Sequence, residues 1–326
     1  MMVKTNLAKE IIAKGGDISP LIIPSTETNG TGLMNPSIFV DGDRLLCNLR
    51  HVNYTLMHCE GKQVFGNRHG PLAYLNPEND VKLKTINYML ELNDDLSIDK
   101  WTRIDTSLRD VPPKWEFYGL EDGRLIKWNG EYWLSGVRRD TTDEGQGRME
   151  LSKLDPTDWR EIGRYRIEAP IDKDSYCEKN WMVVEDLPFH YVKWANPTEV
   201  VLADINTLQS TQIVHKDGVG EYQNMRGSSQ VIRWGDYRIA IIHETKLWKN
   251  KIDQRNAKYT HKFVVWDLDW NIKHISEEFS FLDGEIEFCC GMAFWKGDML
   301  ISFAFQDNAA FILRVPQTQI ESVIWS

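Results

Sequence analysis

Residues 120–139, LEDGRLIKWNGEYWLSGVRR, read as two apolar strands turned on Asn129-Gly130. Asn-Gly supplies the left-handed backbone that a two-residue hairpin turn requires. The pattern recurs along the chain. It appears as NPSIFVDGDRLLCNLR from Asn35, turning at Asp41-Gly42-Asp43, and as EKNWMVVEDLPFHYVKW followed by TEVVLADI from Glu178. It appears again as MRGSSQVIRWGDYRIAIIHE from Met225, turning at Gly235-Asp236, and as CCGMAFWKGDMLISFAFQD from Cys289, turning at Lys296-Gly297-Asp298. Further strands follow several of these hairpins: INYMLELNDDLSI, GRMELSKLDPTDW, HKFVVWDLDWNI and AAFILRV. Units of three to four antiparallel strands, repeating every ~45–60 residues, fit propeller blades better than a sandwich, whose strands do not recur as grouped motifs. The sequence therefore predicts an all-β, five-bladed β-propeller over residues 35–326. A lead segment, residues 1–34, packs on it, with a short helix at residues 7–14.

Composition agrees with this reading. The 326 residues include 13 Trp, 11 Tyr and 12 Phe, yet mean hydropathy is only −0.43, as for half-buried aromatic strands under a polar surface. No Pro/Gly/Ser-rich linker or charge block divides the chain. The polar stretches 140–147 and 246–258 read as long exposed loops.

A net charge of −10 argues against nucleic acid as a partner, since phosphate backbones are held by clustered Lys and Arg. The first residues lack an apolar signal region and no later stretch is apolar enough to span a membrane, so a cytoplasmic location is expected. The five cysteines, with Cys289 and Cys290 adjacent, form neither a disulfide framework nor a CxxC metal motif, and reduced, buried thiols are expected. No HExxH, GxGxxG, P-loop or GxSxG pattern is present, and neither a metal nor an organic cofactor is called for. The residues leave a homo-oligomer open.

In an antiparallel hairpin the start of the first strand lies beside the end of the second, so both share one edge. First-strand starts carry Asn35, Glu121-Asp122, Glu178-Lys179-Asn180, Arg226-Gly227 and Gly291. Second-strand ends carry Arg50, Arg138-Arg139, Asp204, His243-Glu244 and Asp307. Closure of the blades around an axis brings this polar set to one mouth of the channel. Bland roles exist for several of them: Asp122 as ion-pair partner of Arg124, Lys179 as partner of Glu178, His243 as a structural histidine, and Asp307 as a turn cap ahead of Asn308.

The segments GLEDGR, EKNW, NPSI and SFAFQD resemble glycoside hydrolase family 130, the five-bladed mannoside phosphorylases and their hydrolase relatives. HYVKW, KYTHKFV and IEFCCGMAF are more similar to propeller domains attached to bacterial sugar-nucleotide glycosyltransferases. The resemblance spans residues 35–315 and implies a carbohydrate substrate, with inorganic phosphate as a co-substrate of the phosphorylase branch. It places the family's general acid on Asp122, within Glu-Asp-Gly-Arg where the family has Glu-Asp-Pro-Arg. On the family's EKN pattern it implies that Lys179 and Asn180 touch a phosphate or sugar hydroxyls, and Asp307 resembles a sugar-binding Asp of the family; beside these, Asn35, Glu121, Glu244 and Glu287 are expected as further sugar contacts, and Arg50, Arg226 and His243 as further phosphate contacts. Where the family has a Gly-Gly stretch, this chain has Arg226-Gly227-Ser228-Ser229, which alters shape and charge.

The expected reaction is inverting phosphorolysis or glycosyl transfer on a mannoside-type glycoside. Inversion leaves room for the attacking group opposite the acid. Hydrolysis is the alternative, with Glu244 or Glu287 as base. A non-catalytic glycan-binding propeller, or a protein scaffold, completes the range of readings.

Overall fold

The Asn129-Gly130 hairpin forms as read. Glu121–Trp128 pairs with Glu131–Arg138, and the turn residues take φ 52° and 79°. The computed structural model describes residues 6–56, 65–66, 73–75, 82–170, 175–220, 225–249 and 255–326. Among them, five antiparallel sheets make five propeller blades. The first runs Leu33–Asp41, Arg44–Val52, Leu83–Leu92, Ile98–Arg103 from axis to rim. The second runs Glu121–Trp128, Glu131–Arg138, Arg148–Leu154, Glu161–Ile167, and the third Met182–Val183, His190–Trp194, Thr198–Asp204, Gln209–Lys216. In the fourth, Arg226–Gly227 and Ile232–Trp234 both pair with Tyr237–Lys249, followed by Arg255–Asp267 and Ile272–Ile275. The fifth runs Glu287–Trp295, Asp298–Phe305, Ala309–Val315, and takes its rim strand, Asp17–Pro20, from the lead segment.

Innermost strands are joined across the axis by buried polar side chains. Gln230 of the fourth blade donates to the carbonyl of Ile38 in the first at 2.7 Å and accepts from Met292 N–H in the fifth at 2.9 Å. Ser37 accepts from Leu125 N–H of the second blade at 3.0 Å, and Arg124 donates to Ser228 O of the fourth at 2.7 Å. Strand ladders cannot satisfy backbone groups that face the axis, so these side chains take that role.

Between blades the core is aromatic. Trp128, Trp133, Trp181, Tyr191 and Phe189 pack edge-on or tilted between the second and third. The lead helix Leu7–Ile12 buries Leu7, Ala8 and Ile11 in the core of the fourth and fifth blades, together with Ile320, Val323 and Ile324 of the helix Gln317–Ile324.

Two expectations need correction. Within the stretch 246–258 the described residues, 246–249 and 255–258, are not a loop: Tyr237–Lys249 and Arg255–Asp267 continue one ladder out to the Lys249–Arg255 pair. In the third blade, EKNWMVVEDLPFHYVKW holds two strands rather than one, so Asp204 ends the third strand, where its carboxylate caps the turn at Asn206 and Thr207. It is therefore exposed at that turn instead of standing at the channel mouth. Among the described residues, no helix is long and apolar enough to cross a membrane.

Candidate active site

Backbone irregularity builds the site. In the first blade the ladder jumps from Met34–Arg50 to Ser37–Asn48, and in the second from Glu121–Val137 to Arg124–Ser135. Each jump is a β-bulge, which turns its extra residue out of the pleat. The residues so turned are Asn35 (φ 46°) and Asp122 (φ 53°), while Asn180 (φ 65°) and Asp307 (φ 50°) hold the same left-handed conformation in the third and fifth blades. Asn and Asp tolerate it because their short polar side chains bond locally. Gly136 lies opposite the second bulge, where a Cβ would come within 2.4 Å of the Glu121 carbonyl.

These side chains surround one cavity of about 640 Å³. Eleven of the residues singled out in the sequence line it: Asn35, Arg50, Glu121, Asp122, Arg139, Lys179, Asn180, Arg226, His243, Glu244 and Asp307. Glu287 does not. Its fully buried carboxylate accepts the backbone N–H groups of Phe281, Leu282 and Gly284 at 2.6–2.8 Å, which makes it the organiser of a loop rather than a sugar contact or a base.

Asp122 is tied down. Its Oδ1 accepts from Arg50 Nη1 at 2.7 Å and from Asn35 Nδ2 at 2.5 Å. Arg124 reaches only the Asp122 carbonyl, at 3.1 Å, and so is not the carboxylate's ion-pair partner. Burial alone would raise the Asp122 pKa, but the charges of Arg50 and Lys179 and the Asn35 bond outweigh it and hold the carboxyl below its ordinary range. That setting runs against the expected protonated donor. Glu121 bridges Arg50 at 3.7 Å and Arg139 at 3.5 Å.

Asp307 differs. Half-buried in the same cavity, its carboxylate has no hydrogen bond or ion pair among the described residues. Burial pushes its pKa up to about 6; Arg50 pulls it down, Asp122 adds to the rise, Lys179 lowers it and Glu121 raises it.

Glu178 pairs with Lys193 at 3.3 Å and accepts from the Trp181 indole at 3.0 Å. Its neighbour Lys179 is thereby left facing the cavity with Arg226, and neither cation has an ion pair among the described residues. His243 is buried, with Nδ1 2.9 Å from Ser228 Oγ and its ring stacked on Tyr259 at 5.5 Å. Burial, then the charges of His261, Arg226, Lys179 and Arg124, hold it well below an ordinary imidazole pKa, so it is neutral.

Unforeseen in the sequence is an aromatic wall made of Tyr54, Trp115, Phe117, Tyr176, Tyr259 and Phe288. Tyr259 follows from the hairpin register once Thr245 is known to face it, whereas Trp115 and Tyr176 lie outside any alternating strand. Among the described residues no three His, Cys, Asp or Glu side chains gather as a metal-binding group.

No protein-family model matches the sequence, and no curated protein matches it. Solved structures do match in shape. A β-1,2-mannobiose phosphorylase from Listeria innocua superposes with a TM-score of 0.57 at 11% identity, over 94% of this chain and 99% of that one. A mannose phosphorylase from Leishmania mexicana, in complex with phosphate ion, gives 0.52 at 13% identity over 90% and 86%. A structure reported for the family 130 mannoside phosphorylases, which contain glycoside hydrolases that target β-1,2 mannosidic linkages in Candida mannan, gives 0.57 at 10% identity over 88% and 85%. At such identities the likeness establishes the fold that these proteins share with this chain: the five-bladed propeller.

Proposed function

We propose that this protein is a carbohydrate-active enzyme that acts on a mannoside-type glycoside, by inverting phosphorolysis or by the related glycosyl transfer, in the cavity at the channel mouth. The observation that carries this reading is the pair of unpaired cations, Lys179 and Arg226, standing beside the carboxylates of Asp122, Glu121 and Asp307 in one cavity. Cations suit an anionic attacking group, and carboxylates with amide side chains suit sugar hydroxyls. Asn35 Oδ1 and Asn180 Oδ1 support it further, because both are buried acceptors without a partner among the described residues and match hydroxyl donors. The aromatic wall offers apolar faces to a sugar ring.

In this reading the sugar sits on Asn35, Asp122 and Asn180, and hydrogen phosphate on Lys179, Arg226 and the edge of Arg50. A phosphate oxygen attacks the anomeric carbon from the face opposite the leaving oxygen, with His243 as a neutral hydrogen-bonding neighbour. Fold likeness to phosphorylases adds weight to the sugar but does not choose the attacking group.

The test is to incubate the purified protein with β-linked mannobioses and related oligosaccharides, with and without inorganic phosphate. Mannose 1-phosphate formed only with phosphate supports phosphorolysis, and free mannose without it supports hydrolysis. Saturable sugar binding with neither product would make the propeller a glycan-binding module instead.

A further inference from the structure

We propose that Asp307 is the group that delivers the proton to the leaving oxygen, with Asp122 serving as the fixed carboxylate beside Arg50. The inference rests on the glycoside reading of the cavity and reassigns its acid.

A general acid must have a carboxyl oxygen free to meet the leaving group and must hold a proton when the substrate arrives. Arg50 and Asn35 both bind Oδ1 of Asp122, contacts that hold its ionised form, so its other oxygen belongs to a carboxylate with no proton to give. Asp307 faces the same cavity from the fifth blade with no such contact among the described residues. Its backbone is nevertheless fixed. Gln306 N–H donates to Ile286 O at 2.6 Å, Gln306 Oε1 accepts from Ile286 N–H at 3.2 Å, and Asn308 N–H donates to Phe305 O at 3.1 Å. Gly32 presses from the other side, where a Cβ would come within 2.5 Å of the Asp307 carbonyl. A free carboxyl on a fixed backbone is what positioned acid catalysis needs.

Electrostatics point the same way. The charges that act on Asp307 are Arg50 from the first blade, Glu121 and Asp122 from the second and Lys179 from the third, while the fourth blade brings Arg226, Glu244 and the neutral phenol of Tyr259 to the same cavity. Their balance with burial leaves Asp307 near 6 and Asp122 below its ordinary value. Two carboxyls driven apart in one site are the arrangement in which one stays charged and the other carries the proton.

The step balances. As the bond from the anomeric carbon to the leaving oxygen breaks, its electron pair stays on that oxygen, which takes the Asp307 proton. A hydrogen phosphate oxygen bonds to the anomeric carbon, and the hydrogen that phosphate carried passes to Asp307, restoring the acid.

Two measurements test this. In protein labelled with carbon-13 at the Asp carboxyls, one signal should titrate near pH 6, vanish in Asp307→Asn and persist in Asp122→Asn. If the Asp307 signal titrates near 4 instead, the proposal is overturned. In phosphorolysis of β-1,2-mannobiose, Asp307→Asn should lose on the order of 10²-fold or more in kcat and the fall in rate above pH 6. It should keep most of the parent rate on a dinitrophenyl mannoside, whose leaving group needs no proton. Leaving-group rescue in Asp122→Asn and not in Asp307→Asn would return the acid to Asp122. Lack of turnover by the parent on every glycoside overturns the reaction and this role together, whereas turnover without rescue in the Asp307 variant overturns the role alone.

Discussion

Arg50 and Asp122 come from neighbouring blades and meet at 2.7 Å with both side chains largely buried. The pair locks the first blade to the second at the point where their bulges face the cavity. Removing one partner leaves a buried charge uncompensated, at a cost of about 3–5 kcal/mol. Arg50→Met should therefore lower stability by about that amount in urea unfolding. Arg50→Met with Asp122→Asn should recover part of the loss, because no charge is then stranded. Equal destabilisation by the single and double variants would show that the two do not act as a pair.

The unpaired cations give a kinetic prediction. Lys179→Met and Arg226→Met should each raise KM for inorganic phosphate by about 10-fold or more, since a charge-assisted contact contributes ~1.5–3 kcal/mol. The KM for the glycoside should move much less. Phosphate-dependence assays at fixed, saturating glycoside separate the two constants, and an unchanged phosphate KM in both variants removes the anion from this corner of the cavity.

Glu287 makes the converse case. Glu287→Ala strands three backbone N–H groups in the loop before the fifth blade, and at ~1–3 kcal/mol each the loss is severe even with partial relaxation. Thermal melting should fall by many degrees, while protein that remains folded at low temperature keeps its kcat. A normal melting temperature with lost turnover would put Glu287 back among the catalytic candidates.

His261 should make the fold acid-sensitive. It is fully buried, neither ring nitrogen has a hydrogen-bond partner among the described residues, and Phe279 and Phe281 flank it. Burial pulls its pKa from about 6.5 to about 3. Between these values the unfolded chain binds a proton that the native protein refuses, so the native state's advantage is complete above pH 6.5 and drains away as pH falls toward 3. His261→Phe should flatten that acid decline and raise the melting temperature at pH 7 by about 2 °C, as a buried, unbonded polar group is replaced by an apolar one. Acid unfolding curves of the two proteins decide it.

What the sequence revealed follows from which residues face a core. The hairpins at Asn129-Gly130 and Lys296-Gly297 were legible because their flanking strands alternate and the turns require positive φ. The outer part of the fourth-blade hairpin, TKLWK opposite RNAKY, was hidden. Leu247 and Trp248 stand exposed there, and a strand pair with little to bury carries no apolar alternation. The convergence of Asn35, Asp122, Asn180 and Asp307 followed from their places at hairpin edges. The bulges that aim them did not, because a one-residue slip in register leaves no compositional trace. Glu287 looked like one more edge carboxylate, and only the path of residues 281–284 shows that its oxygens are already taken.

The rim strand of the fifth blade has a temporal consequence. Asp17 pairs with Arg314, so the ring is shut by a strand made early and a neighbour made about 300 residues later. At ~5–20 residues per second on the ribosome, the early strand waits on the order of 15–60 seconds for its partner. Contacts of such sequence separation also slow folding on their own account. The nascent propeller is thus an open ring with an unsatisfied sheet edge for most of its synthesis, and it closes only once the last blade has been made.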